Sequence, residues 1–309
     1  MRRRHFLQSS LLTTAGFGWG LSACVPGDKT AAVPPTPQDF RELCGELLQT
    51  WVYGILAQQI DAPGDPTRHG LLGCPVCDNL HGRCMDAAYP FLRVARTTGD
   101  ERLVTAAVNV MEWAENNVSQ PDGSWTVVPN PKTWKGISVF GAIALAEAVH
   151  HHGDLLPTGV EDRWRERLVR AAEYVYANFD LTFTNINYGY TALYALSLFS
   201  EVLEAPKYAH RARELARGAD AFLTEPNHLL FGEAKPNNDR LSAKGLYGVD
   251  LGYNVEESLN GAVLYAHRVG DIPLMNKLIA SLQGHLEFML PDGGWDNSWG
   301  TRQFKWTYW

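Results

Sequence analysis

Asn185-Ile186-Asn187-Tyr188-Gly189-Tyr190-Thr191-Ala192-Leu193-Tyr194-Ala195-Leu196 is the stretch whose reading decides the fold. A short polar and aromatic segment runs straight into small and apolar residues, and no charged residue follows until Glu201. Such a helix is apolar nearly all round and belongs inside a larger helical body. The same junction recurs at Leu80-His81-Gly82-Arg83-Cys84, Lys132-Thr133-Trp134-Lys135-Gly136, Asp250-Leu251-Gly252-Tyr253-Asn254-Val255-Glu256 and Phe304-Lys305-Trp306-Thr307-Tyr308-Trp309. The starts lie roughly 50 to 65 residues apart, the length of one helical hairpin with its loops. Stacked hairpins need their neighbours to bury their apolar faces, and loops arriving on one side place their tips around one cavity.

Working outward, helical periodicity places helices near 38–60, 82–98, 101–118, 134–151, 160–179, 187–203, 207–224, 254–269 and 271–289. Thr98-Gly99-Asp100 ends one helix and caps the next, and Gly270-Asp271-Ile272-Pro273 does the same. Helices starting near 82, 134, 187 and 254 carry few charges and form the inner set. Those starting near 101, 160 and 207 alternate charge with apolar residues, as in Arg163-Trp164-Arg165-Glu166-Arg167-Leu168, and form the outer set. The expected fold is all-α, an (α/α) toroid of inner and outer helices of the six- or seven-hairpin type. Nine helices fall short of that number and Trp306-Thr307-Tyr308-Trp309 stops inside a junction, so a C-terminally truncated toroid is expected. Trp125-Thr126-Val127-Val128 makes at most one short strand.

The N-terminal residues read as an address. Arg2-Arg3-Arg4-His5-Phe6-Leu7, an apolar stretch from Leu11 to Gly20, and Leu21-Ser22-Ala23-Cys24 resemble a twin-arginine export signal ending in a lipobox, with Cys24 lipidated. The apolar stretch is too short to span about 30 Å of hydrocarbon. The expected organisation is a signal over residues 1–24, a Pro-rich tether over 25–37 and a catalytic toroid over 38–309. A periplasmic or cell-surface lipoprotein follows, anchored by lipid.

Composition narrows the ligand. Cleavage before Cys24 removes three arginines and no acid, taking the net charge from −7 to −10. That argues against nucleic acid, while local cations still permit an anionic oligo- or polysaccharide. Ten Trp and twelve Tyr, many of them in loops, suit flat sugar rings. Pro121-Asp122-Gly123-Ser124-Trp125 returns as Pro291-Asp292-Gly293-Gly294-Trp295. Trp125 is expected to staple its turn. Trp295, followed by Asp296-Asn297-Ser298-Trp299-Gly300-Thr301-Arg302, is expected to line a ligand site.

The Asn-Tyr, His-Gly-Arg and Arg…Tyr junctions on paired helices resemble the (α/α)-toroid polysaccharide lyases, with alginate and glucuronan lyases the nearest class. The resemblance covers residues 38 to 309, with one departure: no Asn-His pair sits on a single helix. It implies cleavage of a uronate polymer by β-elimination. A carboxylate neutraliser, a base for the C5 proton and an acid for the leaving oxygen are required. Carried over, Asn187 and Arg302 neutralise, Tyr308 is the acid/base, and His81 or Tyr253 is the second proton-transfer group. Trp134, Lys135, Tyr188, Asn254, Glu256, Trp295, Asn297 and Trp299 line the substrate. The structural alternatives are an Asn187 helix cap, a His81 hydrogen bond at a helix start, and an Asn254 cap ahead of dipole-complementing Glu256 and Glu257. No cofactor is expected. Cys74, Cys77 and Cys84 leave a disulfide, free thiols or, less favoured, a structural zinc open. The competing functions are an inverting glycoside hydrolase drawing on Asp250, Glu256, Asp296 and Asp86, and a surface glycan-binding lipoprotein without catalysis.

Overall fold

The structure, a computed structural model, describes residues 36–73, 80–233 and 247–296. The chain divides into two compact units, 1–43 and 44–309. In the first, Thr36 and Asp39 exchange hydrogen bonds in a capping box that opens helix α1 (Pro37–Leu56).

In the second unit a 3₁₀ turn (Gly82–Ala87) leads into α2 (Ala88–Thr98), which pairs with α3 (Glu101–Asn117). Then α4 (Ser138–His152) pairs with α5 (Val160–Asn178), and α6 (Ile186–Val202) with α7 (Pro206–Ala219). An α turn (Leu251–Tyr253) and a π-helical turn (Asn254–Ser258) lead into α8 (Leu259–Val269), whose partner is α9 (Ile272–Leu286). Among the described residues β pairing is confined to isolated bridges, so the Trp125–Val128 stretch contributes one bridge and no strand.

The two helix sets separate as their composition requires. The even-numbered helices α2, α4, α6 and α8 pack side by side in that order, and each odd-numbered partner packs on its own inner helix. Inner α6 is buried on nearly every face, whereas outer α7 buries only the stripe Tyr208, Ala212, Leu215 and Ala219. Small residues let the inner helices approach closely. A Cβ on Gly261 of α8 would lie 2.4 Å from the Tyr190 carbonyl oxygen of α6.

The caps form as read. Gly99 and Gly270 take the left-handed conformation, and Asp100 and Asp271 accept from Arg102 N and Leu274 N. The duplicated Pro-Asp-Gly turns match bond for bond: Gln120 N donates to Ser124 O and Leu290 N to Gly294 O, while Asp122 and Asp292 each close a local turn. Trp125 is fully buried, with the Arg167 guanidinium 3.6 Å from its ring, so its stapling role holds.

Candidate active site

The N-terminal ends of the inner helices meet. Trp134, just ahead of α4, donates from Nε1 to the Tyr188 hydroxyl of α6 at 3.2 Å, with the two rings edge to face. Tyr188 also packs on Phe140 and Phe183, and the Arg83 guanidinium lies 4.4 Å above the Phe140 ring. On the other side of Tyr188, Asn187 donates from Nδ2 to the Tyr253 hydroxyl at 3.3 Å, which reaches the turn before α8. Four junctions spread over some 170 residues of chain thus contribute to one aromatic wall with polar members. Trp134 and Tyr188 meet in it, and Tyr253 joins it through Asn187. Trp299, Asn297, Arg302 and Tyr308 lie outside the described residues, as do Cys24, Cys74 and Cys77.

Asn187 is not a cap. Asn185 holds that position, and the Asn187 side chain turns to Tyr253. His81 is the helix-start hydrogen-bonder: its Nδ1 accepts from Arg83 N at 3.2 Å. The neutral ring therefore carries its proton on Nε2, and burial followed by the Arg83 charge lowers its pKa and keeps it neutral. Asp250 takes the cap ahead of Tyr253, accepting from Tyr253 N, so its carboxylate already has a structural use. Asn254 stands inside the π turn, wholly buried, with Nδ2 donating to Leu230 O at 2.7 Å and facing His285 Nε2 at 3.0 Å. This Asn-His pair spans two helices and braces the body, where the sequence placed Asn254 at the substrate. Lys135 binds Asp122 at 2.6 Å, tying the Trp134 loop to the Pro-Asp-Gly turn.

Further carboxylates surround the wall. Asp86 accepts from Arg83 Nε at 3.0 Å, and burial, opposed by Arg83 and aided by Glu257, pushes its carboxyl up to about 6. Glu256, on the exposed side of the π turn, is raised by burial and then by Glu257 and Asp250. Trp295 repeats the bridge made by Trp125, pairing with Met289, and Asp296 follows it half-buried. Cys84 Sγ lies 3.5 Å from Leu72 O.

Sequence reading missed Glu233. It is 3% exposed, and its Oε1 accepts from Asn187 N at 2.9 Å and from Ser258 Oγ at 2.6 Å. No period or motif marks it, since it sits in an irregular segment where only burial singles it out. A separate cleft of about 550 Å³ lies at the C-terminal ends of α6 and α8, lined by Ser197, Glu201, Arg213 and Arg268. Arg268 and Glu201 pair across it. None of the expected site residues lines it.

The profile of a family described as Ulvan lyase N-terminal domain matches residues 48–309. A curated relative, the broad-specificity ulvan lyase of Formosa agariphila (strain DSM 15362 / KCTC 12365 / LMG 23005 / KMM 3901 / M-2Alg 35-1), is 51% identical over 309 residues. That match covers 100% of this chain and 48% of the relative, so the chain spans about half the relative's length. A solved polysaccharide lyase overlays 81% of this chain and 47% of its own at 12% identity and a TM-score of 0.42, too loose to build on.

Proposed function

The chain belongs to the Ulvan lyase N-terminal domain family, and from that membership we propose that it is the catalytic toroid of a lyase cleaving ulvan, a uronate-containing polysaccharide, by β-elimination. The observation that carries the proposal is the Asn187–Tyr253 hydrogen bond beside the wall of Trp134 and Tyr188. Elimination removes the C5 proton, turns that C–H electron pair into a C4=C5 double bond, and breaks the C4–O4 bond. The departing oxygen then takes a proton. Tyr253, whose hydroxyl accepts from Asn187, moves the C5 proton in this scheme. Asn187 and Arg302 neutralise the uronate carboxylate as enolate charge develops. His81, with a proton on Nε2, and Tyr308 supply the acid. Trp134 and Tyr188 offer ring faces to the sugar, with Trp295, Asn297 and Trp299 extending the platform. Export by the twin-arginine route and a lipid on Cys24 would hold this activity at the membrane surface.

Incubation with ulvan tests the reading. Ultraviolet absorbance from the conjugated double bond marks elimination. New reducing ends without absorbance would mean hydrolysis, and retention without cleavage would mean a binding protein. Tyr253→Phe should cost on the order of 10²-fold in turnover with little change in binding, and Arg302→Lys should do the same.

A further inference from the structure

We propose that Glu233 is a positioning residue for the proton-transfer pair: its buried carboxylate locks Asn187 and Tyr253 in register, and Ser258 is its second anchor. The inference rests on the lyase reading of the Asn187–Tyr253 site.

The two members of the pair come from elements far apart in sequence, the first turn of α6 and the turn before α8. Helix packing brings the two elements together, but the hydrogen bond of 3.3 Å between the side chains does not by itself set how the pair meets. Segment 230–233 runs between them and bonds to both. Ile186 N donates to Gly232 O at 3.0 Å, and Asn187 N donates to Glu233 Oε1 at 2.9 Å. On the other side Asn254 Nδ2 donates to Leu230 O, and Ser258 Oγ donates to the same Glu233 Oε1 at 2.6 Å. One carboxylate oxygen therefore serves the backbone N–H of Asn187 itself and a side-chain donor four residues beyond Asn254. At 3% exposure these bonds are sheltered from water, where charge-assisted bonds are strongest. The π-helical turn over 254–258 is a distortion that a helix keeps only when its surroundings impose it, and Ser258 is its last residue. In this reading Glu233 makes no contact with the sugar. It acts through the placement of the two elements.

The test is a double-mutant cycle read in turnover on ulvan. Glu233→Leu removes the shared acceptor and should lower kcat by roughly tenfold or more, with KM changed by less than about threefold. Glu233→Gln keeps an acceptor oxygen in place and should restore most of the rate. Ser258→Ala removes one anchor and should fall between the two. In the Tyr253→Phe background the Glu233→Leu substitution should cost almost nothing further in kcat, because the group being positioned is already gone. A rate loss of the same size in both backgrounds would overturn the positioning role and leave only a packing role. If Glu233→Leu does not fold, Ser258→Ala and Glu233→Gln carry the same cycle with smaller expected losses, and the same equality would overturn it. Full turnover in Tyr253→Phe alone would remove the site reading itself and this inference with it, an outcome visible before any Glu233 variant is made.

Discussion

Gly261→Ala and Gly141→Ala place the same methyl group into the same kind of interface, and the structure predicts that they will behave differently. Both glycines sit inside inner helices, Gly141 in α4 and Gly261 in α8. Exchanging Gly for Ala in a helix interior is intrinsically favourable by about 1 kcal/mol. At Gly141 the added Cβ would lie 2.2 Å from Met85 Cε, the far end of a flexible thioether that can rotate away. A repacking cost of about 1 kcal/mol then leaves the variant close to neutral. At Gly261 the Cβ would meet Tyr190 O at 2.4 Å and Thr191 Cα and N at 2.6 Å. These are backbone atoms of α6 and cannot rotate, so α8 must move away by about 1 Å to restore ordinary contact. Overpacking against a rigid wall costs about 3 kcal/mol, and after the helix-propensity gain about 2 kcal/mol of net destabilisation remains. The same shift draws Tyr253, upstream of α8, away from Asn187, so turnover should fall as well. Urea titration of the three proteins measures the stability difference, and ulvan cleavage measures the second effect. Equal midpoints and slopes for the two variants would refute the close-approach argument.

Four further outcomes follow from the same geometry. His152 is 3% exposed with no ring-nitrogen partner among the described residues, and burial holds its imidazole down at about 4. The unfolded chain, with a histidine near 6.5, takes up that proton first, so native stability is lost as pH falls from 6.5 towards 4. His152→Phe keeps the packing on Tyr89 and should make urea midpoints fall less over that window, by about 2 kcal/mol at the acid end; an unchanged pH slope would contradict this. Arg167→Lys should cost about 2 to 3 kcal/mol in the same titration, because one ammonium cannot reach Gly123 O, Ser124 O and Glu115 together while lying flat on Trp125. Tyr308→Phe should keep ulvan binding and lose proton transfer, seen as a fall in kcat at constant KM. Cys24→Ser should release exported protein from the membrane fraction, and an unchanged fraction would sink the lipid anchor.

The sequence discloses the hairpins because each junction pairs a polar-aromatic loop with a charge-poor helix, a contrast set by burial and visible without coordinates. The same contrast predicts the shared wall, since stacking alone brings Trp134, Tyr188 and Tyr253 to one side. Helix starts were less legible. Trp134 and Lys135 precede α4 by several residues, and the helix expected from 82 begins as a 3₁₀ turn whose cap is the His81 ring. Asn254 reads as a residue at a helix start lining the substrate, but it lies wholly buried within a π turn. Glu233 had no readable signal at all. A buried acid is defined by donors that arrive from residues 187 and 258, and no local pattern encodes such distant partners.

The π turn at 254–258 also has a meaning for relatives of this chain. A π turn holds one residue more than the α-helical path it replaces, so the helix on its far side keeps its packing while everything before it is rotated by about 100°. A homologue with a one-residue gap at this point would lay α8 against α6 unchanged, yet swing its counterpart of Tyr253 a quarter turn or more from the Asn187 position. Such a gap in an alignment would read as a trivial deletion in a helix. It would instead mark a protein that kept the stacked inner helices and gave up the Asn187–Tyr253 pairing.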